Sequence, residues 1–135
     1  GIEQLKRLDL MIQKRAKNFE IFLELLPDWC FKNFNLKGQS NYAFNVILND
    51  PDNQLMSNLQ KVLEKNNIEY RRGSAGGGNQ MRQPYVRNIY KFTDEEIKAI
   101  APITDHIHFY GMYLGNYPEL KLESIKEIAQ IISSV

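Results

Sequence analysis

The sequence predicts an α/β fold: a two-layer sandwich whose small, mainly antiparallel sheet carries helices on one face, preceded by a long N-terminal helix. Apolar residues recur at helical spacing near both ends of the chain, and shorter alternating stretches lie between them. The 135 residues, of which 43% are hydrophobic, suffice for one core and show no dividing linker. We therefore expect a single domain, 1–135, with a linker helix over 1–26 and an α/β core over 41–135.

The first half of the chain reads as helix, strand, helix. The predicted N-terminal helix over 2–26 follows a stripe of apolar residues: Ile2, Leu5, Leu8, Ile12, Ala16, Phe19, Leu23 and Leu26. Pro27 ends it, and an aromatic connection runs to residue 40. Alternation predicts a strand over 42–48. Asp50 and Pro51 are suited to begin the next helix, and Asn66-Asn67 to close it.

The pattern of the second half predicts strand, basic loop, helix, strand and helix. A short strand over 68–71 leads into a glycine-rich loop. Thr93 and Glu96 form a capping box, so a helix begins there with Ile97 and Ile100 facing inward. The run 107–114 is typical of another strand. The apolar spacing of the last residues predicts a C-terminal helix containing Leu122, Ile125, Ile128, Ala129 and Ile132.

The basic segment, residues 71–91, is the most informative stretch for function. It holds five basic side chains and no acidic one, whereas the whole chain has 17 basic and 16 acidic residues. Glycine allows successive backbone amides to turn toward one point, and arginine offers a planar fork of donors. The segment therefore predicts contact with an anionic group such as a phosphate, and it lacks the Gly-Lys-Ser/Thr ending of a P-loop.

Other patterns limit the function. The net charge of +1 does not indicate a nucleic-acid binder. Cys30, as the lone cysteine, is expected to be a small apolar residue in a reducing compartment. His106 and His108 would share one face of the predicted strand, but too few ligands accompany them for a metal site, so we expect none. No signal peptide or membrane span is evident, which predicts a cytoplasmic protein without membrane partners.

The residues alone leave two other hypotheses about function open. The basic segment with Tyr110, Tyr113 and Tyr117 would suit a stand-alone nucleotide- or RNA-binding module. The apolar residues that lie off the stripe of the first helix would suit a protein-interaction domain. No nucleophile–base pair or acid–base pair can be assigned, so the chain shows no catalytic residue of its own.

Several motifs, in order, resemble a known family. Gly1 to Leu5 (GIEQL) is similar to a long helix that links two domains, and Ser40 to Phe44 (SNYAF) to a first small-domain strand. The strongest part of the resemblance begins at Ile68 to Arg71 and continues with Ala-Gly, Asn79 and Arg-Gln-Pro-Tyr at 82–85. The motif Gly115 to Pro118 (GNYP) then precedes the last helix. Together they resemble the C-terminal small domain of the DegT-type, pyridoxal-phosphate-dependent sugar aminotransferases and their dehydratase relatives. The chain departs from the family at Gly77-Gly78, which are extra, and at Asn41, where a tryptophan is usual.

The resemblance implies a fold-type-I parent enzyme in which pyridoxal phosphate (PLP) is bound mainly by a large domain absent here. The 135 residues alone would hold no cofactor and would be inactive. The partners that the resemblance implies for the parent are a nucleotide-linked keto-deoxy sugar and a second copy in a homodimer. The Gly-Asn and Arg-Gln-Pro motifs favour the 3-dehydratase branch. The substrate-binding residues expected on this basis are Arg71, Gly76, Asn79, Arg82, Gln83 and Tyr85.

Overall fold

A computed structural model of the chain describes residues 1–73 and 78–135. It has α/β architecture, as predicted. The helices are α1 (Ile2–Leu5), α2 (Leu8–Leu25), α3 (Asn53–Lys65), α4 (Pro84–Tyr90), α5 (Asp94–Ile100), α6 (Pro102–Tyr110) and α7 (Leu122–Ser133). The strands are β1 (Ala43–Ile47), β2 (Tyr70–Arg71) and β3 (Gly111–Gly115), and a 3₁₀ turn spans Gln80–Arg82.

The three strands form one antiparallel sheet in the order β1-β3-β2. Side chains alternate between its faces, so Phe44, Val46, Met112 and Leu114 all lie in the core cluster. The same cluster includes buried residues of α2, α3 and α7, which therefore cover this face of the sheet. The opposite face, on which Asn45, Ile47, Arg71 and Tyr113 line clefts, is called the free face.

Aromatic packing joins the N-terminal helix to the sheet. The rings of Phe22 and Phe44 stack with centroids 4.3 Å apart, and Phe19 stacks on Phe44 at 6.4 Å. All three side chains are fully buried. Burial of such a side chain stabilises the fold by about 1.5–3 kcal/mol, so this contact fixes α2 against β1.

The N-terminal helix is not continuous, as the prediction over 2–26 had it. α1 ends at Leu5, residues Lys6 and Arg7 form a turn, and α2 begins at Leu8. α1 buries no residue. A one-turn helix has little stability without tertiary packing, so the apolar spacing of Ile2, Leu5 and Leu8 does not by itself make the helix continuous there.

The start of α3 also differs from the prediction. Asp52, rather than Asp50, is the N-cap, because its side chain accepts a hydrogen bond from the Leu55 amide at 2.8 Å. The predicted end is confirmed: Asn66 is the C-cap and Asn67 has a left-handed φ of 55°.

The predicted strand over 107–114 is wrong in its first half. Residues up to Tyr110 belong to α6, which begins at Pro102, and only Gly111–Gly115 form β3. The helix passes directly into the strand because residue 111 lacks a side chain: a Cβ there would lie 2.6 Å from the Ile107 carbonyl oxygen. His106 and His108 consequently lie on a helix and do not share a strand face.

The basic segment contains more regular structure than the loop that we predicted. Pro84 occupies the first turn of α4, where its missing amide hydrogen is not needed, and Lys91 ends the helix with a φ of 58°. The capping box at Thr93 and Glu96 is confirmed, and so is the burial of Ile97. Ile100, in contrast, is 61% exposed and does not face inward.

Candidate functional site

Asn79 anchors the middle of the basic segment to α6. Its backbone amide donates to Nδ1 of His108 at 3.1 Å, and its side-chain amide donates to Asp105 at 3.2 Å. Its own Oδ1 accepts from the Met81 amide at 3.0 Å, which starts the 3₁₀ turn. The Asn79 side chain is buried with these partners, and buried polar groups need such partners. We call residues 78–83 the anchored segment.

Arg82 forms the second anchor. Its guanidinium binds Asp105 through Nε and, at 2.8 Å, through Nη2, and it also reaches Asp94 at 3.1 Å. The group lies 4.6 Å from the centroid of the Phe109 ring and its side chain is only 12% exposed. This bidentate hydrogen bonding is the main cause that holds the pKa of Asp105 below its usual range.

The residues around Arg72 brace the end of β2. Its Nη1 donates to Gln60 and its Nη2 to the Phe109 carbonyl, both at 2.5 Å. Gln60 in turn donates to the Tyr70 hydroxyl at 2.9 Å, which donates to Glu64 at 2.7 Å. β2 is thus tied to α3 on one side and to α6 on the other, although it has only two residues.

Arg71 is the most available cation of the predicted site residues. Its side chain is 59% exposed, and its ion-pair partner among the described residues is Glu69 at 3.7 Å, which is itself highly exposed. A pair of this kind contributes little. Arg71 lies opposite Tyr113, and Tyr113 lies opposite Asn45, so the three side chains form a row across the free face.

Two adjoining clefts open beside this row. The inner cleft, of about 260 Å³, lies toward α6 and is lined by Asn45, Ile47, Arg71, Gly73, Gly111 and Tyr113, among others. The outer cleft, of about 310 Å³, lies toward the other end of β3 and is lined by Tyr42, Glu69, Tyr70, Arg71, Tyr113 and Gly115. Arg71 and Tyr113 therefore stand between the two clefts.

The remaining predicted residues lie on different surfaces. Gln83 is the N-cap of α4 and Tyr85 is an exposed residue of its first turn, with its hydroxyl on Gln80. Gly76 lies outside the described residues. Arg71 is thus separated from Asn79 and Arg82, which point into the contacts with α6 rather than into the clefts of the free face.

Sequence reasoning missed Asp105 and His108 as the groups on α6 that hold Asn79 and Arg82. It named Tyr113 beside the basic segment but missed Asn45, which lies opposite Tyr113 on the free face. Asp105 pairs with Arg82 across 23 residues, and neither side chain signals its partner locally. Asn45 and Tyr113 carried a readable signal, since both occupy the polar phase of the alternation in their strands.

Cys30 and the histidines add no further chemistry. Burial raises the pKa of the Cys30 thiol to about 12, so it is not a ready nucleophile. Nε2 of His106 lies 2.7 Å from the Leu48 carbonyl oxygen. Among the described residues, no three His, Cys, Asp or Glu side chains gather as metal ligands. Every helix in that part of the chain is also too short or too polar to cross a bilayer.

Comparisons with known proteins agree with this fold. The profile of the DegT/DnrJ/EryC1/StrS aminotransferase family matches residues 1–133. A GDP-4-keto-6-deoxy-D-mannose 3-dehydratase of Yersinia pseudotuberculosis is 30% identical over 134 residues, which are 98% of this chain and 33% of that protein. The chain therefore spans about a third of the length of this relative.

Solved structures show the same fold. An E. coli GDP-4-keto-6-deoxy-D-mannose 3-dehydratase with bound hydrated PLP superposes with a TM-score of 0.75 at 22% identity, covering 98% of this chain and 33% of that one. An aminotransferase of Helicobacter pylori involved in the biosynthesis of pseudoaminic acid superposes with a TM-score of 0.76 at 16% identity, covering 99% of this chain and 35% of that one. The fold is that of a domain found in PLP-dependent sugar-modifying enzymes. The chain belongs to the DegT/DnrJ/EryC1/StrS aminotransferase family.

Proposed function

We propose that residues 1–135 form the C-terminal small domain of a PLP-dependent enzyme that acts on a nucleotide-linked keto-deoxy sugar, as a 3-dehydratase or an aminotransferase. The observation that carries the proposal is the family match over 1–133, joined to 30% identity with a GDP-sugar dehydratase. Residues 1–26 would link this domain to a large one, and residues 41–135 would close over the active site.

We do not expect the described residues to make a PLP site by themselves. Covalent attachment of PLP needs a lysine amine, and neither cleft of the free face has a lysine among its described lining residues. We therefore place PLP, which serves as an electron sink when bound, mainly on the part of the enzyme outside this chain. The residues present here would bind and orient the substrate.

Within the basic segment, we assign the predicted residues two roles on the basis of their contacts. Arg71 has a weak internal partner and would contact an anionic group of the substrate directly. Asn79 and Arg82 are held by Asp105 and would position the anchored segment, which includes Gln83, and the following Tyr85 near the substrate. Gly76, which lies outside the described residues, keeps its predicted role. A direct contact of these residues with substrate stays a prediction, as does a homodimer of the parent enzyme.

The test uses the natural polypeptide that contains this chain, purified with PLP. We expect bound PLP to be visible by absorbance and GDP-4-keto-6-deoxy-D-mannose to be consumed, with glutamate as amino donor. Release of ammonia and loss of the 3-hydroxyl would indicate a dehydratase. Stoichiometric transfer of nitrogen to the sugar would indicate an aminotransferase. A purified protein that neither retains PLP nor converts any nucleotide-linked keto sugar would contradict the proposal.

The alternative of a stand-alone nucleotide- or RNA-binding module predicts a different result. Binding to single-stranded RNA would then weaken steeply with salt, because neutralised phosphates release counterions. Salt-sensitive RNA binding without PLP would replace the enzyme proposal with this one.

A further inference from the structure

The side chain of Asn116 joins α2 to the start of β1 and to the end of β3. Its amide donates to the carbonyl of Arg15, on α2, at 2.9 Å and to the carbonyl of Asn41, just before β1, at 2.7 Å. Its Oδ1 accepts a hydrogen bond from the side-chain amide of Asn18 at 3.2 Å. Asn116 is 4% exposed, so these partners replace water around a buried polar group. The four residues together are called the polar lock.

Further hydrogen bonds extend the polar lock. Nε of Arg15 donates to the Ser40 carbonyl at 3.0 Å, and the side-chain amide of Asn18 also donates to the Tyr117 carbonyl at 3.2 Å. Asn41 has a left-handed φ of 45°, a conformation that asparagine tolerates better than bulky residues do. Arg15 and Asn18 lie three residues apart on one helix face, so this face binds the chain just before β1 and just after β3.

The polar lock lies where α2 leaves the hydrophobic core. Phe19 and Phe22 hold the second half of the helix on Phe44, whereas residues 1–10 are all exposed. Two separate attachments, one aromatic and one polar, fix both the position and the direction of the helix relative to the sheet. α2 is therefore packed as part of the small domain rather than as a free connection to it.

The turn between α1 and α2 has less support. α1 buries no residue, and the Arg7 amide donates to the Gln4 carbonyl, three residues back, at 3.1 Å. Helical bonding resumes with the Met11 amide, which donates to the Arg7 carbonyl at 3.1 Å. Arg7 is the N-cap of α2 and its side chain makes no capping hydrogen bond with the first amides of the helix. The chain can therefore bend at Lys6–Arg7 at low cost.

We propose that α2 and the sheet move as one body, held by the polar lock, and that the linker bends at Lys6–Arg7. That a large domain lies beyond this hinge rests on the proposed function. Bending there would turn the free face relative to that domain without changing the clefts themselves. A hinge in the connection 26–40 would instead require the polar lock to break, because its members lie on both sides of that connection.

The first experiment places pairs of spin labels in the natural polypeptide and measures their distance distributions. Cys30 is 2% exposed and will not take a label, and any other reactive cysteine is replaced by serine. Labels at the exposed positions Lys17 on α2 and Lys61 on α3 should give a narrow distribution, and labels at Gln4 and Lys61 a broader one. Asn116→Val, which keeps the volume but removes the hydrogen bonds, should broaden the distribution between positions 17 and 61.

Amide hydrogen exchange in the same polypeptide gives an independent readout. We expect fast exchange over residues 6–10 and slow exchange over the rest of α2. Asn116→Val should speed exchange over residues 14–18 by about tenfold, because α2 loses its polar attachment to the sheet. Asn18→Ala is a milder second variant. Since alanine favours helix, faster exchange in this variant would come from the lost lock rather than from helix propensity.

A matched control separates the polar lock from a general loss of stability. Ile97→Val removes one methylene group from a fully buried residue on α5, away from α2, and should leave the label distances and the exchange of α2 unchanged. Unchanged label distances and exchange in both Asn116→Val and Asn18→Ala would remove the polar lock. Equal widths for the two label pairs, or fastest exchange over 26–40, would remove the hinge at Lys6–Arg7.

The hinge and the proposed function fail separately, because neither measurement requires activity. A protein without PLP or turnover, in which Asn116→Val loosens α2, would keep the rigid body and lose the enzyme. Turnover of a nucleotide-linked sugar in a protein whose label distances ignore Asn116 would keep the enzyme and lose the lock.

Discussion

At the scale of single residues, His108 makes one of the contacts that hold the anchored segment on α6. Its Nδ1 accepts the hydrogen bond from the Asn79 amide, which requires a neutral ring. Burial is the main cause that lowers the pKa of His108 below 6.5; Arg82 and Arg72 act in the same direction and Asp105 opposes them. Protonation would place an N–H against the N–H of Asn79.

We therefore predict that acid opens the anchored segment. Because the pKa of folded His108 is below its unfolded value, its contribution is full above about pH 6.5 and is lost as the pH falls through the lowered pKa. Amide hydrogen exchange of residues 78–82, corrected for the intrinsic pH dependence, should show protection falling on acidification in the wild type. His108→Gln, which keeps an acceptor that does not titrate, should show a smaller fall; equal falls would exclude His108 as the cause.

The Arg82–Asp105 pair has a measurable energetic role at the same scale. Removing Arg82 leaves the carboxylate of Asp105, which is 5% exposed, without its main partner. The cost of breaking a buried pair is several kcal/mol, and we expect about 3 kcal/mol here.

We also expect Arg82→Ala to raise KM for the nucleotide sugar more than Lys61→Ala does, because the anchored segment loses its position.

A double-mutant cycle checks this explanation. If Arg82 acts through Asp105, Asp105→Asn should produce much of the same loss, and the double variant should lose less than the sum, with a coupling of about 0.5–3 kcal/mol. Independent, additive losses in denaturant unfolding would show that Arg82 has another role, such as direct contact with substrate.

At the scale of elements, the passage from α6 into β3 depends on one glycine. The strand offers its own control, because a Cβ on Gly111 would contact the Ile107 carbonyl at 2.6 Å, whereas a Cβ on Gly115 would have no neighbour within 4 Å. Neither has a positive φ, so the difference is steric.

Gly111→Ala should therefore destabilise the fold by about 1–3 kcal/mol, the usual cost of overpacking. Gly115→Ala should change stability by no more than about 0.5 kcal/mol. Thermal unfolding of the two variants side by side measures both. Similar melting temperatures for the two would mean that α6 can move away from β3 without cost.

Some elements could be predicted from the sequence and others could not. Strand β1, the C-terminal end of α3 and the capping box of α5 could be predicted because their signals are local: alternation, asparagine closure, and the Thr93–Glu96 pair. Helix α6 could not be predicted, because its apolar residues near 107–110 form a run that suits a strand equally well. The contact between Gly111 and the Ile107 carbonyl, which exists only once the helix has formed, decides between helix and strand.

At the scale of the whole molecule, the class of fold and the family follow from the order of motifs, while the site does not. The basic segment was predicted as a flexible ligand-binding loop. In the structure its four arginines divide. Arg72 and Arg82 serve the packing of β2 and α6, and Arg87 pairs with Asp94. Arg71 faces a cleft and has a weak partner. That division depends on partners from α3, α5 and α6, which are distant in sequence.

The central claim is that substrate meets this domain at the free face and the basic segment. Hydrogen exchange of the PLP-loaded natural polypeptide, with and without a bound nucleotide-linked sugar, tests it most directly. We expect slower exchange in peptides that cover residues 70–73, 78–85 and 111–115, and no change in α2 and α7, which lie behind the sheet. Protection confined to segments outside these, with the free face unchanged, would contradict it.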